Sequence, residues 1–530
     1  MTSDGTTSDG AEHQIDRIKT IQAAFIQFDR RAEKLSQDLL AKTFVDAEPL
    51  FIQLSSRNHQ VLYGRRGTGK THALKFLGDS ISADGDAAIY IDLRTVGSNG
   101  SIYSDTQRSL PERATRLLTD VLEALEMELT RIALHTIDYN GDAGQITLRL
   151  DDFGKSLRTV EVRGNVEEES NSARSGEASS SASVALQKDP QLTIGATNKN
   201  SASQSFRVKR AGEQTVSIDF GSLQTALTGL IEVLGSPRIW LLIDEWSEIP
   251  SDLQPYLADL LRRTVLPQQR VIVKIGAIEH RSKFAERLPQ GGIVGIEIGA
   301  DVTADTNLDD FVVYDVNQQR ATEFFKNLIF KHYSVSERAD PAIDTPDKLV
   351  SAAFTQVTAF QEFVRAIEGV PRDALNLAAM MAKISYGRPI SVDDVRKAAR
   401  EWYQQDKMSI TKSNPALAGV LSYVIDEVIG QRKTRAFLFP SNANDTRIDQ
   451  LYDARLLHLL KKSISSNVAP GRRYDVYKID FGCYVDLINT SRAPGGLFQG
   501  EGDMFINEVP PDDYRSIRRA ILRPEDMPDA

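Results

Sequence analysis

Residues 60–77 read Gln-Val-Leu-Tyr-Gly-Arg-Arg-Gly-Thr-Gly-Lys-Thr-His-Ala-Leu-Lys-Phe-Leu: an apolar strand, a glycine-rich loop and the start of a helix. Gly64, Gly69, Lys70 and Thr71 fit the pattern G-x-x-x-x-G-K-[ST] without a gap. Glycines in such a loop let consecutive backbone N–H groups turn inward around phosphate oxygens, and the helix that follows points its positive end at them. The candidate nucleotide-binding residues are therefore Gly64, Arg65, Arg66, Gly67, Thr68, Gly69, Lys70, Thr71 and His72. Lys70 would set a point charge on the β/γ-phosphates, and the Thr71 hydroxyl is spaced to ligate Mg²⁺.

With 530 residues the chain has room for about three domains. A hydrophobic content of 41% and a charged content of 26% predict a soluble, globular protein rather than a disordered one. Residues 1–10 are polar, without the basic start and apolar centre of a signal peptide, and no run reaches the ~18 apolar residues of a membrane span. One cysteine, Cys483, excludes an internal disulfide and a cysteine-based zinc site. A reducing cytoplasm is the expected setting. The net charge of -10 argues against wholesale coating of nucleic acid. It is silent about local faces: residues 454–478 hold six Lys/Arg and one acid, whereas residues 501–530 hold eight acids and four arginines.

Along the chain, residues 1–12 read as a disordered leader, and residues 14–42 as helices leading into the nucleotide fold. After the glycine loop, Ala87-Ala88-Ile89-Tyr90-Ile91-Asp92-Leu93 has the make-up of a buried strand, and Leu118, Val121, Leu122, Leu125, Leu129 and Ile132 form one helical stripe. Such alternation implies a parallel sheet covered on both faces. A β-rich, partly disordered insertion is expected at 136–215. Its Glu/Ser/Ala/Asn-rich centre, about 167–183, is flanked by the short runs 146–150, 191–194, 206–208 and 216–218. It would be either a partner-docking surface or a surface decoration without a role.

A second motif follows at Arg238-Ile239-Trp240-Leu241-Leu242-Ile243-Asp244-Glu245, an apolar strand ending in two acids. Below a phosphate loop, Asp244 would hold Mg²⁺ through its water shell and Glu245 would polarise the attacking water. Residues 271–277 and 293–298 are further strand candidates. Beyond about residue 315 the pattern turns helical, with Ser391-Val392-Asp393-Asp394 as a helix-capping signature. From about residue 414 a third unit begins: a helix at 417–429, a strand at 435–439, a helix at 448–463 and strands in 472–485 containing Gly482. Helices followed by paired strands suit a winged helix, with a generic α/β packing domain as the other reading.

The order of these motifs resembles AAA+ ATPases of the origin-recognition/initiator type, and among them a bacterial ORC/CDC6-like group. The resemblance rests on residues 64–71, on Asp244-Glu245, on Gly369-Val370-Pro371-Arg372-Asp373-Ala374-Leu375, which looks like the sensor 2 helix, and on residues 390–398, which look like the last lid helix. It spans about residues 14–487, leaving out the insertion. It implies a P-loop AAA+ parallel sheet at 13–315, a helical lid at 316–410, a winged-helix-like domain at 411–490 and an acidic tail at 491–530. ATP and Mg²⁺ would be the cofactors, with Lys70, Glu245 and Arg372 as catalytic residues and Thr71 and Asp244 as metal ligands. The chain departs from the pattern at sensor 1, which falls at Glu279 or His280 and not at the common asparagine. Arg262, Arg263, Arg281 and Arg287 all lie in stretches suited to an arginine finger.

Two functional classes follow. One is an ATP-driven switch for assembly or remodelling on nucleic acid, with Lys461, Lys462, Arg472 and Arg473 touching DNA phosphates through the C-terminal domain. A homo-oligomer or an operon-encoded protein would be its partner, and a membrane would not. The other is a signalling or defence NTPase that acts through proteins alone. A scaffold without turnover is disfavoured because Lys70, Thr71, Asp244 and Glu245 are all present.

Overall fold

A computed structural model describes residues 5–28, 35–47, 49–97, 103–105, 107–139, 141–157, 159–163, 166–169, 207–210, 213–289, 291–310, 314–315, 317–465, 471–488 and 520–528. At its centre lie five strands, β1 (Gln60–Tyr63), β2 (Ala87–Asp92), β3 (Ile239–Asp244), β4 (Val271–Ala277) and β5 (Thr303–Asn307). They run in the order β5-β1-β4-β3-β2, and every pairing is parallel. Asp92 stands opposite Asp244, so the carboxyl ends of β2 and β3 finish level. β3 and β4 are buried along their whole length. Their runs of Ile, Val and Leu require cover on both faces.

The first half of the chain also carries helices α1 (Gly5–Ile26), α2 (Lys70–Ala83), α3 (Leu110–Asp138), α4 (Ala143–Ser156) and α5 (Phe220–Val233). On one face of the sheet, Leu117 and Leu125 of α3 and Leu227 and Leu230 of α5 share a core with Ile89, Leu241, Ile243 and Val273. On the other, Leu74 and Leu77 of α2 pack against Trp240, Leu242 and Ile272.

The expected β-rich insertion begins as helix. α3 continues to Asp138, and α4 is capped by Asp142, whose Oδ1 accepts from the Gln145 N–H at 3.1 Å. Ile146, Phe153 and Leu157 are buried along one side. Residues 146–150 are therefore helical and not a strand, because their five-residue alternation is also one arc of a longer 3.6-residue period. Thr159–Arg163 pairs with Glu213–Ser217, and Val166–Glu169 with Arg207–Arg210, both antiparallel. The run expected at 191–194 lies outside the described residues, as does residue 170 onward of the Glu/Ser-rich stretch.

Five helices follow between Gln318 and Trp402: α6 (Gln318–Ser334), α7 (Pro346–Ala353), α8 (Val357–Ala366), α9 (Pro371–Ile384) and α10 (Val392–Trp402). α1 belongs to them rather than to the sheet. Its Ile21, Phe25 and Phe28 enter the core of Phe325, Phe360 and Phe363. Gln22 Nε2 donates to the carbonyls of Ser385 at 3.1 Å and Arg388 at 2.8 Å. α1 is already formed at Gly5, where a disordered leader was expected up to residue 12. Lengthening a docked helix costs far less than nucleating one. α10 opens on a capping box: Ser391 Oγ accepts from Asp394 N–H at 3.3 Å, and Asp394 Oδ2 accepts from Ser391 N–H at 2.9 Å.

The last unit comprises α11 (Pro415–Ile425), β6 (Ala436–Pro440), α12 (Thr446–Asp453), β7 (Leu457–Ser465), β8 (Arg473–Ile479) and α13 (Phe481–Ile488). The strands form an antiparallel sheet in the order β6-β8-β7. The helix expected at 448–463 stops at Asp453. Arg455 takes a left-handed φ of 62° and turns the chain into β7. Helices commonly end this way, but usually on glycine, so an arginine gives no sequence signal. Gly482, expected in a strand, lies in α13 against α10. A Cβ there would stand 2.4 Å from the Ala399 carbonyl oxygen.

Of the expected acidic tail, residues 520–528 are described. Leu438 N–H donates to Ala520 O and Leu522 N–H to Leu438 O, each at 3.0 Å, which extends the small sheet past β6. The architecture is α/β: a parallel P-loop sheet with a helical lid, followed by a winged-helix-like domain. No helix among the described residues is long and apolar enough to cross a membrane.

Candidate nucleotide site

β1 ends at Tyr63 and the glycine loop carries the chain over the carboxyl edge of the sheet into α2, at the crevice where open α/β sheets bind ligands. Lys70 is buried, and its Nζ donates to the carbonyls of Gly64 at 2.7 Å and Arg65 at 3.1 Å. Burial lowers the Lys70 pKa, opposed by the charges of Glu245 and Asp244. Thr68 Oγ1 donates to the Arg65 carbonyl at 2.9 Å, closing the turn.

Asp244, at the end of β3, is wholly buried. Its Oδ2 accepts from Thr71 Oγ1 at 2.6 Å and from Tyr90 OH at 2.8 Å, while Oδ1 accepts from the Glu245 N–H at 2.8 Å. A hydroxyl and a carboxylate side by side at a helix N-terminus are the hard oxygen donors that Mg²⁺ takes when nucleotide phosphates complete its shell. No cluster of three or more His, Cys, Asp or Glu able to hold a metal by itself is found among the described residues. That donor set fits Mg²⁺ held jointly with a nucleotide.

Glu245 has a left-handed backbone, φ 58° and ψ 39°. This uncommon conformation for a non-glycine residue turns the chain sharply off the strand. Its carboxylate Oε1 lies 3.4 Å from Arg94 Nη1, and Arg94 also clasps Asp92 through Nε and Nη2 at 3.0 and 2.6 Å. Burial and the neighbouring Asp244 charge raise the Glu245 pKa. A carboxylate made more basic beside the Thr71–Asp244 pair suits a water-polarising base.

The lid reaches the loop at Arg372, in the first turn of α9 behind Pro371. Its N–H donates to the Gly67 carbonyl at 3.1 Å. Gly67 has φ 91°, and a Cβ there would stand 3.0 Å from Arg372 Cβ and 3.2 Å from Val370 Cγ1. The Arg372 charge is near enough to depress the Lys70 pKa further. Lys70, Thr71, Asp244, Glu245 and Arg372 are thus drawn from three separate stretches of chain to one crevice.

Other expected residues are placed differently. The Arg65 guanidinium leaves the loop for Asp309, with Nε to Oδ1 at 2.8 Å, and Arg66 pairs with Glu248 on the surface. The His72 ring is bonded to the Leu40 carbonyl at 2.9 Å, so only its backbone faces the crevice end of α2. At the sensor 1 position, Glu279 pairs with Lys462, and His280 Nε2 sits 2.7 Å from Asp453 Oδ1, so both side chains serve the winged-helix-like domain. Arg262 pairs with Asp301, Arg263 with Asp259 and Arg281 with Asp453; Arg287 is exposed on the short strand Ala285–Arg287.

Of the four basic residues expected to touch DNA, Lys461 on β7 and Arg472 just before β8 are exposed, and Arg473 Nη1 donates to the Ser463 carbonyl at 2.9 Å. Tyr90, Arg94 and Asp309 were not singled out from sequence. Arg94 and Asp309 lie just beyond the carboxyl ends of β2 and β5, the one positional signal that marked them, whereas Tyr90 lies within β2.

No curated protein matches the chain. Among solved structures, the Aeropyrum pernix ORC1 protein in complex with DNA is similar at 12% identity and a TM-score of 0.33, over 86% of this chain and 96% of that one. The ORC-CDC6-like family model matches residues 28–294, half of the chain. On that match, the chain belongs to the ORC-CDC6-like family.

Proposed function

We propose that the chain is an ATP-binding and ATP-hydrolysing AAA+ switch that drives assembly or remodelling on nucleic acid. Its proposed parts are the ATPase domain at 13–315, including the 136–215 insertion, the lid at 316–410 and the winged-helix-like domain at 411–490. The observation that carries the reading is the bond between Thr71 and Asp244, 2.6 Å long, which joins the two motifs beside Lys70. Family membership supports it.

In this reading Lys70 exchanges the Gly64 and Arg65 carbonyls for the β/γ-phosphates, and the loop N–H groups take the remaining oxygens. Thr71 and Asp244 hold Mg²⁺, which when bound neutralises charge on the phosphates. Glu245 leaves Arg94 to orient and polarise the attacking water, taking its proton. Arg372, fixed to Gly67 through its N–H, extends its guanidinium to the γ-phosphate from the lid. Loss of that phosphate removes the tie between lid and sheet.

Lys461, Lys462, Arg472 and Arg473 are the proposed DNA-phosphate contacts, a homo-oligomer or an operon-encoded protein the proposed partner, and the cytoplasm the proposed setting. The second reading, an NTPase that signals through proteins, gains weight from Lys462, whose charge is spent on Glu279. The test is hydrolysis of ATP by the full chain with Mg²⁺ and with EDTA, followed by anisotropy with duplex DNA. Mg²⁺-dependent turnover with salt-sensitive DNA binding is expected. Turnover without DNA binding at low salt selects the second reading, and no turnover at all overturns both.

A further inference from the structure

Arg65 sits inside the glycine loop, yet its side chain is buried between Asp309 and groups of the winged-helix-like domain. Its N–H donates to Asp309 Oδ2 at 2.9 Å and its Nε to Oδ1 at 2.8 Å. The guanidinium lies over the Tyr452 ring, 4.8 Å from its centroid, and Tyr452 OH donates to Asp309 Oδ2 at 3.2 Å. Burial alone would raise the Asp309 carboxyl; the Arg65 charge and hydrogen bonds outweigh it and hold the pKa below the ordinary value.

Beyond Asp309, Arg65 Nη1 meets His458 Nδ1 at 2.9 Å, and His458 Nε2 meets Asp480 Oδ2 at 3.0 Å. Burial brings the His458 pKa down to about 4, so at neutral pH the ring carries one proton. An arginine only donates, which assigns that proton to Nε2, bound to Asp480, and leaves Nδ1 to accept from Arg65.

Asp480 Oδ2 also accepts from Lys407 Nζ at 2.5 Å, and Lys407 stands 3.4 Å from Asp373 Oδ2. Arg455 pairs with Asp373 as well. Asp373 follows Arg372, whose N–H holds the Gly67 carbonyl. The path therefore leaves the loop at residue 65, crosses the winged-helix-like domain, enters the lid and returns to the loop at residue 67. Arg65, Asp309, His458, Asp480, Lys407 and Asp373 are all buried.

Buried ion networks seldom repay their desolvation as stability, so this one calls for another use. We propose that Arg65 is a positioning residue that couples nucleotide occupancy of the loop to docking of the winged-helix-like domain, through His458 and Asp480 to Lys407 and Asp373. The inference rests on the nucleotide-binding reading. When Lys70 turns to phosphate, the Gly64 and Arg65 carbonyls lose its ammonium, Arg65 keeping the Thr68 hydroxyl, and the loop must hold its shape through residues 65 and 67. The docked domain holds Arg65 in advance, so docking and nucleotide binding strengthen each other by linkage.

The test uses the full chain, a fluorescent N-methylanthraniloyl-ATP and two substitutions remote from the crevice. His458→Ala removes the acceptor for Arg65, and His458→Asn returns one with its side-chain carbonyl. Expected is a loss of affinity of about tenfold for His458→Ala and recovery to within about threefold of the parent for His458→Asn. In the parent, the nucleotide should also slow amide exchange across residues 457–460. Parent-like affinity in His458→Ala, equal loss in both variants, or exchange at 457–460 indifferent to nucleotide overturns the coupling while leaving nucleotide binding intact. If His458→Ala does not fold, the exchange measurement on the parent decides. A parent that binds no nucleotide overturns the functional reading as well.

Discussion

Two charged regions of this protein are built on opposite terms. At the carboxyl edge of the parallel sheet, Lys70, Asp244 and Arg65 are buried and each is satisfied, Lys70 by carbonyls of its own loop and Asp244 and Arg65 by groups distant in sequence. On the β7–β8 ribbon, Lys461, Lys462, Arg472 and Arg473 are exposed, and their links include a surface pair between Lys462 and Glu279 and a bond from Arg473 to the Ser463 carbonyl. A buried charge is worth several times an exposed one, because water neither screens it nor replaces its partner. The crevice is therefore where single substitutions should have large, specific effects. The ribbon should respond in small, additive steps that fade with salt.

The largest effect is expected at Lys70. Lys70→Ala should cut ATP turnover by on the order of 100-fold and leave nucleotide binding undetectable in a fluorescence titration, since a preorganised phosphate contact is lost. Parent-like affinity would remove the loop from the mechanism. Arg372→Ala comes next. Turnover should fall by about tenfold, and the preference for ATP over ADP should shrink, because a single charge-assisted contact to the γ-phosphate disappears. An unchanged ATP/ADP ratio in competition binding would confine Arg372 to its backbone bond with Gly67.

On the ribbon, Lys461→Ala and Arg472→Ala should each weaken duplex binding slightly and lower the slope of log K against log salt by about one unit. Anisotropy across a salt series reads this directly, and slopes equal to the parent's would move the contact surface elsewhere.

The smallest effect concerns the lid. Burial alone would raise the Asp394 pKa, yet hydrogen bonds from Arg388 and Ser391 bring it from 3.8 to about 2. A carboxyl depressed on folding stabilises the protein above its unfolded value, and that contribution is lost as pH falls from about 4 toward 2. Asp394→Ala should cost about 1–2 kcal/mol in urea unfolding at pH 7 and flatten the acid limb of the stability profile. An acid limb identical to the parent's would dismiss the capping box as a source of lid stability.

The crevice was legible because its parts are contiguous in the chain. The loop from Gly64 to Thr71 and the pair Asp244-Glu245 each declare their chemistry within a few residues, and a parallel sheet brings strand ends together whatever lies between. What sequence misread depends on partners far away. Leu456 to Leu460 continues the apolar spacing of α12, but pairing with β8 makes it a strand. α1 looks like an entry helix until its aromatic stripe meets the lid some 300 residues later. Asp309 and His458 gave no sign of their roles, since an acid and a histidine alone are silent until Arg65 arrives between them.

The most direct test of the central claim is Glu245→Gln, which keeps the shape of the side chain and removes its ability to take a proton. Nucleotide affinity and ATP hydrolysis should be measured on the same preparation with Mg²⁺. Affinity should equal the parent's, with turnover reduced by on the order of 100-fold or more. Turnover equal to the parent's would contradict the claim, because the water would then be activated by something other than the Glu245 carboxylate just beyond β3.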